Sequence, residues 1–376
     1  MSQPANPIRV LVVEDSLITR HLIVTALNRD PAICVVGTAG NGLAAIEAAQ
    51  KHQPDLVTMD IEMPELDGIA ALQQIRRNQA QLPVIMLSSL TQRGARETIR
   101  ALTSGASDYL AKPKGMDNPE AAYAYLAAEL IPKIKALCPR PGTLRVAQQE
   151  PMGLPTAPVQ TAAPAAIAPT TATPQSKPAG KKTWPRVDAV CIAISTGGPM
   201  ALVKLFEHWE QPLPVPLLIV QHMPPKFTAL LAERLSTLGV TTVEEPYEGQ
   251  VPLAGYAYIA PGGWHMEVQS VGARQRLHLS DAIPENSCRP AADVLFRSAA
   301  QVYGRHALAL VMTGMGTDGL NGARSIAQVG GMVVAQDQAS CTVWGMPGAV
   351  VNAGLADEVW QLDDIAKSIW QRTKRS

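Results

Sequence analysis

The chain has 376 residues, 47% of them hydrophobic, and 32 Lys and Arg balance 32 Asp and Glu. This length favours two domains. Zero net charge without a basic run excludes the usual footprint of a nucleic-acid binder. The apolar stretches fall short of the roughly 18 residues that cross a bilayer, and no signal-peptide core is present. Five scattered cysteines without a C-x-x-C pair are typical of a reducing compartment. We expect a cytoplasmic protein without membrane insertion.

The first third of the chain alternates strand and helix patterns. Strands are predicted at 8–13, 32–38, 55–60, 83–88 and 107–111, with helices at 17–27, 43–51, 69–76, 91–103 and 119–137. Such alternation predicts an α/β domain with a doubly wound parallel sheet, which we place at 8–130.

A change of composition separates this region from the rest. Residues 139–185 contain ten prolines, and large apolar residues are too sparse there to build a core. An Ala-, Pro- and Thr-rich segment of this kind is typical of a flexible linker, partly extended as polyproline II.

The α/β pattern resumes in a second predicted domain at 186–375. Strands are predicted at 187–194, 215–220, 240–244, 256–260, 307–312 and 332–335, and an inserted hairpin at 266–271 and 275–279. These elements predict a second doubly wound parallel sheet, Rossmann-like and with a β-hairpin insertion.

Polar residues follow the predicted strands of the first domain. They are Glu14, Asp15, Asp60, Ser88 and Lys112. Because ligands bind at the carboxyl ends of strands in an open α/β sheet, we expect these residues to converge. Clustered carboxylates suit Mg²⁺, and a carboxylate beside Mg²⁺ and a lysine can accept a phosphoryl group. Taken singly, Asp15 is also compatible with a helix cap and Lys112 with the surface.

The same segments resemble a two-component response-regulator receiver domain. The matching pieces are Val-Val-Glu14-Asp15-Ser, Asp60-Ile-Glu-Met-Pro-Glu-Leu-Asp-Gly68, Met-Leu-Ser88-Ser and Tyr109-Leu-Ala-Lys112-Pro113. The resemblance implies that a histidine kinase phosphorylates Asp60, with Mg²⁺ held by Glu14, Asp15, Asp60 and the Glu62 carbonyl. It further implies that Ser88 and Tyr109 form a switch pair with Lys112, and that a cis bond precedes Pro113.

A serine marks the first strand–helix junction of the second domain. Ser195 follows the buried strand 187–194 and precedes a helical pattern that opens at Pro199. A serine on such a turn presents its hydroxyl to the crevice, near free backbone N–H groups. This geometry suits an acyl-transfer nucleophile, although a plain helix cap fits the same position.

Two more polar residues follow strands of this domain. His222 comes after the strand 215–220 and Asp318 after the strand 307–312. We predict a triad of Ser195 as nucleophile, His222 as general base and then acid, and Asp318 orienting the imidazole. Backbone N–H groups at Thr196 and Met315 are candidates for the oxyanion hole.

Other interpretations of these residues remain open. His265 is the strongest rival histidine, and Asp318 is also compatible with an ordinary N-cap. The segment Gly314–Gly319 satisfies G-x-G-x-x-G, with Asp337 downstream, which permits a dinucleotide site. A binding or transcriptional output would need a basic helix-turn-helix, which the second half does not offer.

The second half resembles the catalytic domain of the chemotaxis protein-glutamate methylesterases. The matching pieces are Ser195-Thr-Gly-Gly-Pro, Gln221-His222-Met-Pro-Pro, Tyr258-Ile-Ala-Pro-Gly262, His265-Met, Arg289-Pro290-Ala-Ala-Asp293-Val-Leu-Phe, Thr313-Gly-Met-Gly-Thr-Asp318-Gly and Gly345-Met-Pro. Receiver, linker and esterase in this order match that family over nearly the whole chain. Ala193 and Ile194 depart from the small residues expected before the serine, and the added methyl of Ala193 narrows the backbone options of the turn.

This resemblance implies a phosphorylation-activated enzyme of sensory adaptation. It implies hydrolysis of glutamate γ-methyl esters on chemoreceptors, with release of methanol, and deamidation of specific receptor glutamines. No cofactor is expected for the esterase step. Before phosphorylation of Asp60, the receiver is expected to cover the crevice around Ser195 and His222.

Overall fold

The computed structural model describes residues 6–89, 91–112, 118–139 and 186–374. Almost all of the predicted linker, and Pro113 with its predicted cis bond, lie outside the described residues.

A five-stranded parallel sheet forms the first domain. Its strands are β1 (Ile8–Val13), β2 (Ile33–Ala39), β3 (Leu56–Asp60), β4 (Val84–Ser88) and β5 (Asp108–Ala111), in the order β2-β1-β3-β4-β5. The helices are α1 (Leu17–Asn28), α2 (Gly42–His52), α3 (Gly68–Asn78), α4 (Gln92–Thr103) and α5 (Pro119–Leu137). Ser16, Asn41, Asp67, Thr91 and Asn118 cap them. Every predicted element of this domain is present, because buried strands and capped amphipathic helices have strong local signals.

A seven-stranded parallel sheet forms the second domain. Its strands are β6 (Ala189–Ile194), β7 (Leu217–Gln221), β8 (Thr242–Glu244), β9 (Tyr256–Ile259), β12 (Ala307–Val311), β13 (Met332–Gln336) and β14 (Glu358–Trp360). The order is β14-β13-β12-β6-β7-β9-β8, so β6 lies at the centre between β12 and β7. The order reverses beside β6, and ligands of open α/β sheets bind at such a switch point. Both parallel sheets confirm the predicted fold class.

Helices and a hairpin cover this second sheet. The helices are α6 (Gly198–Glu207), α7 (Phe227–Ser236), α8 (Ala292–Tyr303), α9 (Leu320–Gln328), α10 (Met346–Asn352) and α11 (Leu362–Thr373). The strands β10 (His265–Val271) and β11 (Arg274–Ser280) pair antiparallel, as predicted. One core cluster joins residues of the sheet, α8 and the hairpin, including Phe296, Met266 and Leu277.

The two sheets belong to one compact unit in which α4 packs against α6 and α7. Val343 and Met315, from the second domain, pack with the apolar core cluster of the first. The two domains therefore share a packed interface. Within the described ranges, no helix has the length and apolar character needed to cross a membrane.

Candidate active site

The turn after β6 places Ser195 at the edge of the central strand. The backbone N–H of Ser195 donates to the carbonyl of Thr313 at 3.0 Å. Gly197 has φ +78°, and a Cβ atom there would lie 2.3 Å from Thr342 Oγ1. A left-handed backbone and this close approach both require glycine, so the Ser-Thr-Gly-Gly sequence fixes the turn.

Ser195 lies in the wall of a cavity. Ser195 is half-buried and, with His222, lines a cavity of about 290 Å³. The α6 helix has no side-chain cap, so Ser195 does not serve as the helix cap considered above. Its hydroxyl makes no hydrogen bond to any residue in the described ranges.

Strand register places His222 beside Ser195. Ile194 of β6 pairs with Gln221 of β7, and the His222 N–H donates to the Ile194 carbonyl at 3.2 Å. Since neighbouring strands lie about 4.8 Å apart, the residues that follow the pair start side by side. The two predicted catalytic residues are therefore neighbours, although 27 positions apart in sequence.

His222 and Asp318 form a buried hydrogen-bonded pair. The His222 Nε2–H donates to Asp318 Oδ2 at 2.7 Å. Asp318 is 2% exposed and accepts the N–H groups of Ala292 at 2.6 Å and Asp293 at 3.1 Å, where α8 begins. These donors and the positive end of the helix dipole stabilise the ionised carboxylate.

Each partner shifts the pKa of the other. Burial works against the charged imidazole, but the interactions with Asp318 and Cys288 together outweigh it and raise the pKa of His222 to about 9. Burial also opposes the charge of Asp318, yet the hydrogen bond and charge of His222, with the N–H groups of Ala292 and Asp293, keep the pKa of Asp318 below its usual range. Both shifts favour the form of the pair in which an imidazolium lies beside a carboxylate.

The other imidazole nitrogen contacts a residue that sequence reasoning missed. His222 Nδ1 lies 3.7 Å from Cys288 Sγ and makes no hydrogen bond to Ser195. Asn286, also missed, donates its amide to Asp318 Oδ1 at 2.9 Å. Cys288 directly precedes the Arg289-Pro290 motif and Asn286 lies three positions before Arg289, so this motif is the signal in the sequence that points to the loop.

The two predicted oxyanion donors occupy different environments. Thr196 is buried and lines the same cavity as Ser195, whereas Met315 is half-buried and packs toward the first domain. Within the described residues, neither backbone N–H has an intramolecular acceptor. Their role in an oxyanion hole stays a prediction.

His265, the other histidine considered as a catalytic base, lies in a different environment. His265 is 1% exposed, its Nε2 lies 3.1 Å from the Ile283 carbonyl, and its Nδ1 accepts the N–H of Ala291 at 3.2 Å. Both nitrogens are thus engaged by backbone groups, as in a structural histidine.

Packing explains the first glycine of the dinucleotide-like fingerprint. A Cβ on Gly314 would lie 2.4 Å from Met346 Sδ and 2.9 Å from Ser195 Cβ. Because glycine has no Cβ atom, the segment that follows β12 can approach the turn that carries Ser195. Asp318, inside the same fingerprint, is bonded to His222.

The departure at Ala193 leaves the turn unaffected. Ala193 lies inside β6, paired with Val311 and Val220, and is fully buried. Alanine readily adopts the extended backbone of a strand. The residue of the turn that has a left-handed backbone conformation is Gly197. The added methyl therefore does not narrow the turn as the sequence suggested.

The predicted phosphoryl pocket is assembled at the edge of the first sheet. Lys112 Nζ lies 2.7 Å from Asp60 Oδ2 and 2.9 Å from Glu14 Oε2. Carboxylate oxygens of Glu14, Asp15 and Asp60 all lie within 4.8 Å of one another. A cavity of about 270 Å³ is lined by Asp15, Asp60, Ser88 and Lys112, and also by Glu62.

The donor set of this pocket fits a divalent cation. Burial, followed by repulsion from Asp60, raises the pKa of Glu14 to about 7. Burial also raises the pKa of Asp60 despite Lys112. A hard cation bound by these carboxylate oxygens would relieve that repulsion, so the residues suit Mg²⁺. The Glu62 N–H lies 3.4 Å from Asp60 Oδ1, and ligation by its carbonyl stays a prediction.

The predicted switch residues lie on neighbouring strands and have different partners. The Ser88 hydroxyl lies 3.1 Å from the Ser89 carbonyl and 3.2 Å from the Gly94 carbonyl. The Tyr109 ring stacks on Phe227 of α7, with centroids 5.2 Å apart. Tyr109 thus belongs to the interface with the second domain.

That interface reaches the residue beside the nucleophile. Thr196 Oγ1 donates to Asp108 Oδ2 at 2.9 Å, and Lys133 Nζ lies 2.6 Å from the same oxygen. Asp108, Tyr109 and Lys133 line the cavity that holds Ser195 and His222. The first domain therefore forms one wall of the candidate active site.

Fold and sites together define a class of protein: a receiver domain packed on an α/β domain with a serine–histidine–aspartate constellation. Residues 10–123 match the model of the response regulator receiver domain, and residues 190–369 match that of the CheB methylesterase family.

Relatives match the chain over nearly its full length. A protein-glutamate methylesterase/protein-glutamine glutaminase of Trichodesmium erythraeum (strain IMS101) is 43% identical, covering 97% of this chain and 98% of the relative. A protein of the same name from Nocardioides sp. (strain ATCC BAA-499 / JS614) is 47% identical, covering 98% and 96%. The crystal structure of the Thermotoga maritima CheB methylesterase catalytic domain is 36% identical over 49% of this chain and 98% of that chain, with a TM-score of 0.48. The chain belongs to the protein-glutamate methylesterase/protein-glutamine glutaminase family.

Proposed function

We propose that this protein hydrolyses glutamate γ-methyl esters on chemoreceptors and deamidates specific receptor glutamines in the cytoplasm. The observation that carries the proposal is the juxtaposition of Ser195, His222 and Asp318 at one sheet edge, in a chain of this family. Both reactions are acyl transfers to water and need the same nucleophile, base and oxyanion donors.

The first step forms an acyl-enzyme. Ser195 Oγ attacks the ester carbonyl carbon while His222 Nδ1 takes the hydroxyl proton. Asp318, bonded to Nε2, stabilises the imidazolium that results. The backbone N–H groups of Thr196 and Met315 donate hydrogen bonds to the negatively charged oxygen of the tetrahedral intermediate.

The second half of the reaction restores the enzyme. The imidazolium returns the proton to the leaving oxygen, and methanol departs; a glutamine substrate releases ammonia instead. Water, deprotonated by His222, attacks the acyl carbon and frees a glutamate side chain and Ser195. His222 must turn from Cys288 toward Ser195 for this cycle, because the hydroxyl–imidazole hydrogen bond is not formed in this structure.

The receiver supplies the regulation. Transfer of a phosphoryl group from a histidine kinase to Asp60 is assisted by Lys112, and Mg²⁺ bound by Glu14, Asp15, Asp60 and the Glu62 carbonyl would neutralise the phosphoryl charge. Ser88 would bond a phosphoryl oxygen, and the movement would reach the active site through Tyr109 and Asp108. Support for this regulation comes from the wall that the first domain forms over Ser195.

Methanol release from methylated receptor tests the proposed chemistry. Replacing the nucleophile by Ser195→Ala, or the base by His222→Ala, is expected to lower kcat by roughly 10³-fold or more. Ser270→Ala, at an exposed serine of β10, is the matched control and retains the wild-type rate. Wild-type turnover in Ser195→Ala would exclude the serine mechanism.

A further inference from the structure

A four-residue turn contacts the His222–Asp318 pair. The N–H and carbonyl groups of Glu285 and Cys288 pair with each other at 2.8 and 3.1 Å. Between them, Asn286 has φ +52° and Ser287 has φ +61°. Two successive left-handed residues form a tight turn of the kind that closes hairpins. The turn directs the side chains of residues 286 and 288 toward the catalytic pair.

Two anchors fix this turn to α8. Arg297 makes two hydrogen bonds of 2.6 Å with the Glu285 carboxylate. Such a bidentate pair holds orientation as well as distance. The Asn286 amide nitrogen lies 3.0 Å from Asp293 Oδ2, and Asp293 in turn accepts the Gly322 N–H at 2.6 Å.

The turn touches both ends of the catalytic pair. The Asn286 amide donates to Asp318 Oδ1 at 2.9 Å, on the carboxylate side. Cys288 Sγ lies 3.7 Å from Nδ1, on the imidazole side. Asn286, Asp318, His222 and Cys288 therefore form a ring of contacts that the turn closes. The Nδ1 atom that Cys288 contacts is the one that must receive the Ser195 proton.

We propose that the turn Glu285–Cys288 is a positioning clamp for the catalytic base, in which Asn286 orients Asp318 and Cys288 holds Nδ1 away from Ser195. This inference rests on the proposed role of His222 as the base. In the clamped state both N–H groups of the imidazolium are engaged, one by Asp318 and one by sulfur. Asn286 and Cys288 act through His222 and are positioning residues.

The clamp predicts opposite effects for its two side chains. Asn286→Ala removes a donor from Asp318, so the carboxylate stabilises the imidazolium more strongly. The titration midpoint of His222 then rises by roughly half a pH unit, and kcat/KM at pH 7 falls about threefold. Cys288→Ala removes the sulfur acceptor, which lowers the midpoint and raises kcat/KM at pH 7 about two- to fivefold. Cys288→Ser keeps an acceptor and is expected to lie within about twofold of wild type.

The experiment must keep the other charged groups near His222 constant. Besides Asp318 and Cys288, the first domain brings Asp108, Glu129 and Lys133 to the same cavity. All measurements are therefore made on the full chain under one phosphorylation condition, so that these groups stay constant. The matched controls are Asn352→Ala and Cys34→Ala, at exposed positions remote from the catalytic pair in sequence.

Imidazole ¹⁵N NMR titration measures the effect of the clamp on the titration midpoint of His222, independently of enzyme activity. His222→Gln assigns the His222 signals among the seven histidines. A midpoint raised in Asn286→Ala and lowered in Cys288→Ala, with both controls unchanged, is the expected result. Either variant alone suffices if the other does not fold.

The outcomes separate the clamp from the proposed function. Unshifted midpoints in the variants, with Ser195-dependent hydrolysis intact, would overturn the clamp and leave the hydrolase standing. Shifted midpoints in a protein without Ser195-dependent hydrolysis would support the clamp and contradict the hydrolase.

Discussion

His222 shows how much one side chain depends on its surroundings. Its ordinary pKa of 6.5 would leave it largely neutral at pH 7, ready to act as a base. Against the effect of burial, the interactions with Asp318 and Cys288 together raise that pKa to about 9, which favours the imidazolium. The residue is therefore set up to stabilise the charge that develops during acyl transfer, and its base form becomes more abundant as the pH rises.

The pH dependence of turnover follows from this shift. We expect kcat/KM of the wild type to rise with pH up to a midpoint near 9, because only the neutral imidazole accepts the Ser195 proton. Asp318→Asn is expected to move this midpoint down toward 6.5 and to lower kcat by roughly 10⁴-fold, since the imidazole loses its orienting carboxylate. Methanol release from pH 6 to 10 measures both effects.

Stability provides an independent readout of the same pKa. Because the folded pKa of His222 lies above the unfolded value, its contribution to stability is complete below pH 6.5 and is lost as the pH rises through about 9. The Tm difference between wild type and His222→Gln is therefore expected to shrink over this window. A difference that grows with pH would contradict the raised pKa.

At the level of elements, β6, β7 and α6 create the site by close packing. Gly198 is the first residue of α6 and lies against the last residue of β7. A Cβ atom at position 198 would lie 2.0 Å from Gln221 Oε1. Gln221 also donates its amide to the Ser195 carbonyl at 3.1 Å. The nucleophile turn is thus braced from the neighbouring strand, on the residue just before His222.

A methyl group at position 198 tests this bracing. Gly198→Ala forces Gln221 to move, and we expect the free energy of unfolding to fall by about 1–3 kcal/mol. We also expect kcat to fall, because Ser195 and His222 both flank the displaced contact. Lys204→Ala, at an exposed position of the same helix, is the control and leaves both quantities near wild type. Chemical denaturation and methanol release are the measurements, and unchanged values would show that the contact is not required.

At the scale of the whole molecule, the first domain contacts the second beside the candidate catalytic residues. Asp108 connects Lys133 of α5 to Thr196, one residue from the nucleophile. Tyr109, on the same strand, stacks against α7. β5 therefore connects the phosphoryl pocket, through Lys112 at its carboxyl end, to the active-site wall.

Weakening that connection is expected to release the active site. Asp108→Asn removes the charge that attracts Lys133 and weakens the bond to Thr196. We expect basal methanol release to rise about fivefold and the further stimulation by a small phosphodonor to shrink correspondingly. Asp60→Asn, which cannot accept the phosphoryl group, should show no stimulation. A basal rate unchanged in Asp108→Asn would mean that this contact does not restrain the enzyme.

Sequence by itself determined the two parallel sheets, the hairpin and the positions of Ser195, His222 and Asp318 at strand ends. These features have local signals: apolar runs, helix caps and turn residues act over a few positions. The three-residue strand β14 escaped prediction because its pairing with β13 at the edge of the sheet stabilises it, rather than its own short and partly polar sequence.

Only the tertiary structure decided what surrounds those residues. Strand register set His222 beside Ser195, and the start of α8 supplied the donors to Asp318. The contacts of Cys288, Asn286 and Asp108 join residues far apart along the chain, so no local pattern encodes them. The physical reason is that the pKa and orientation of a catalytic group depend on burial and on partners that only the folded chain brings within a few ångströms.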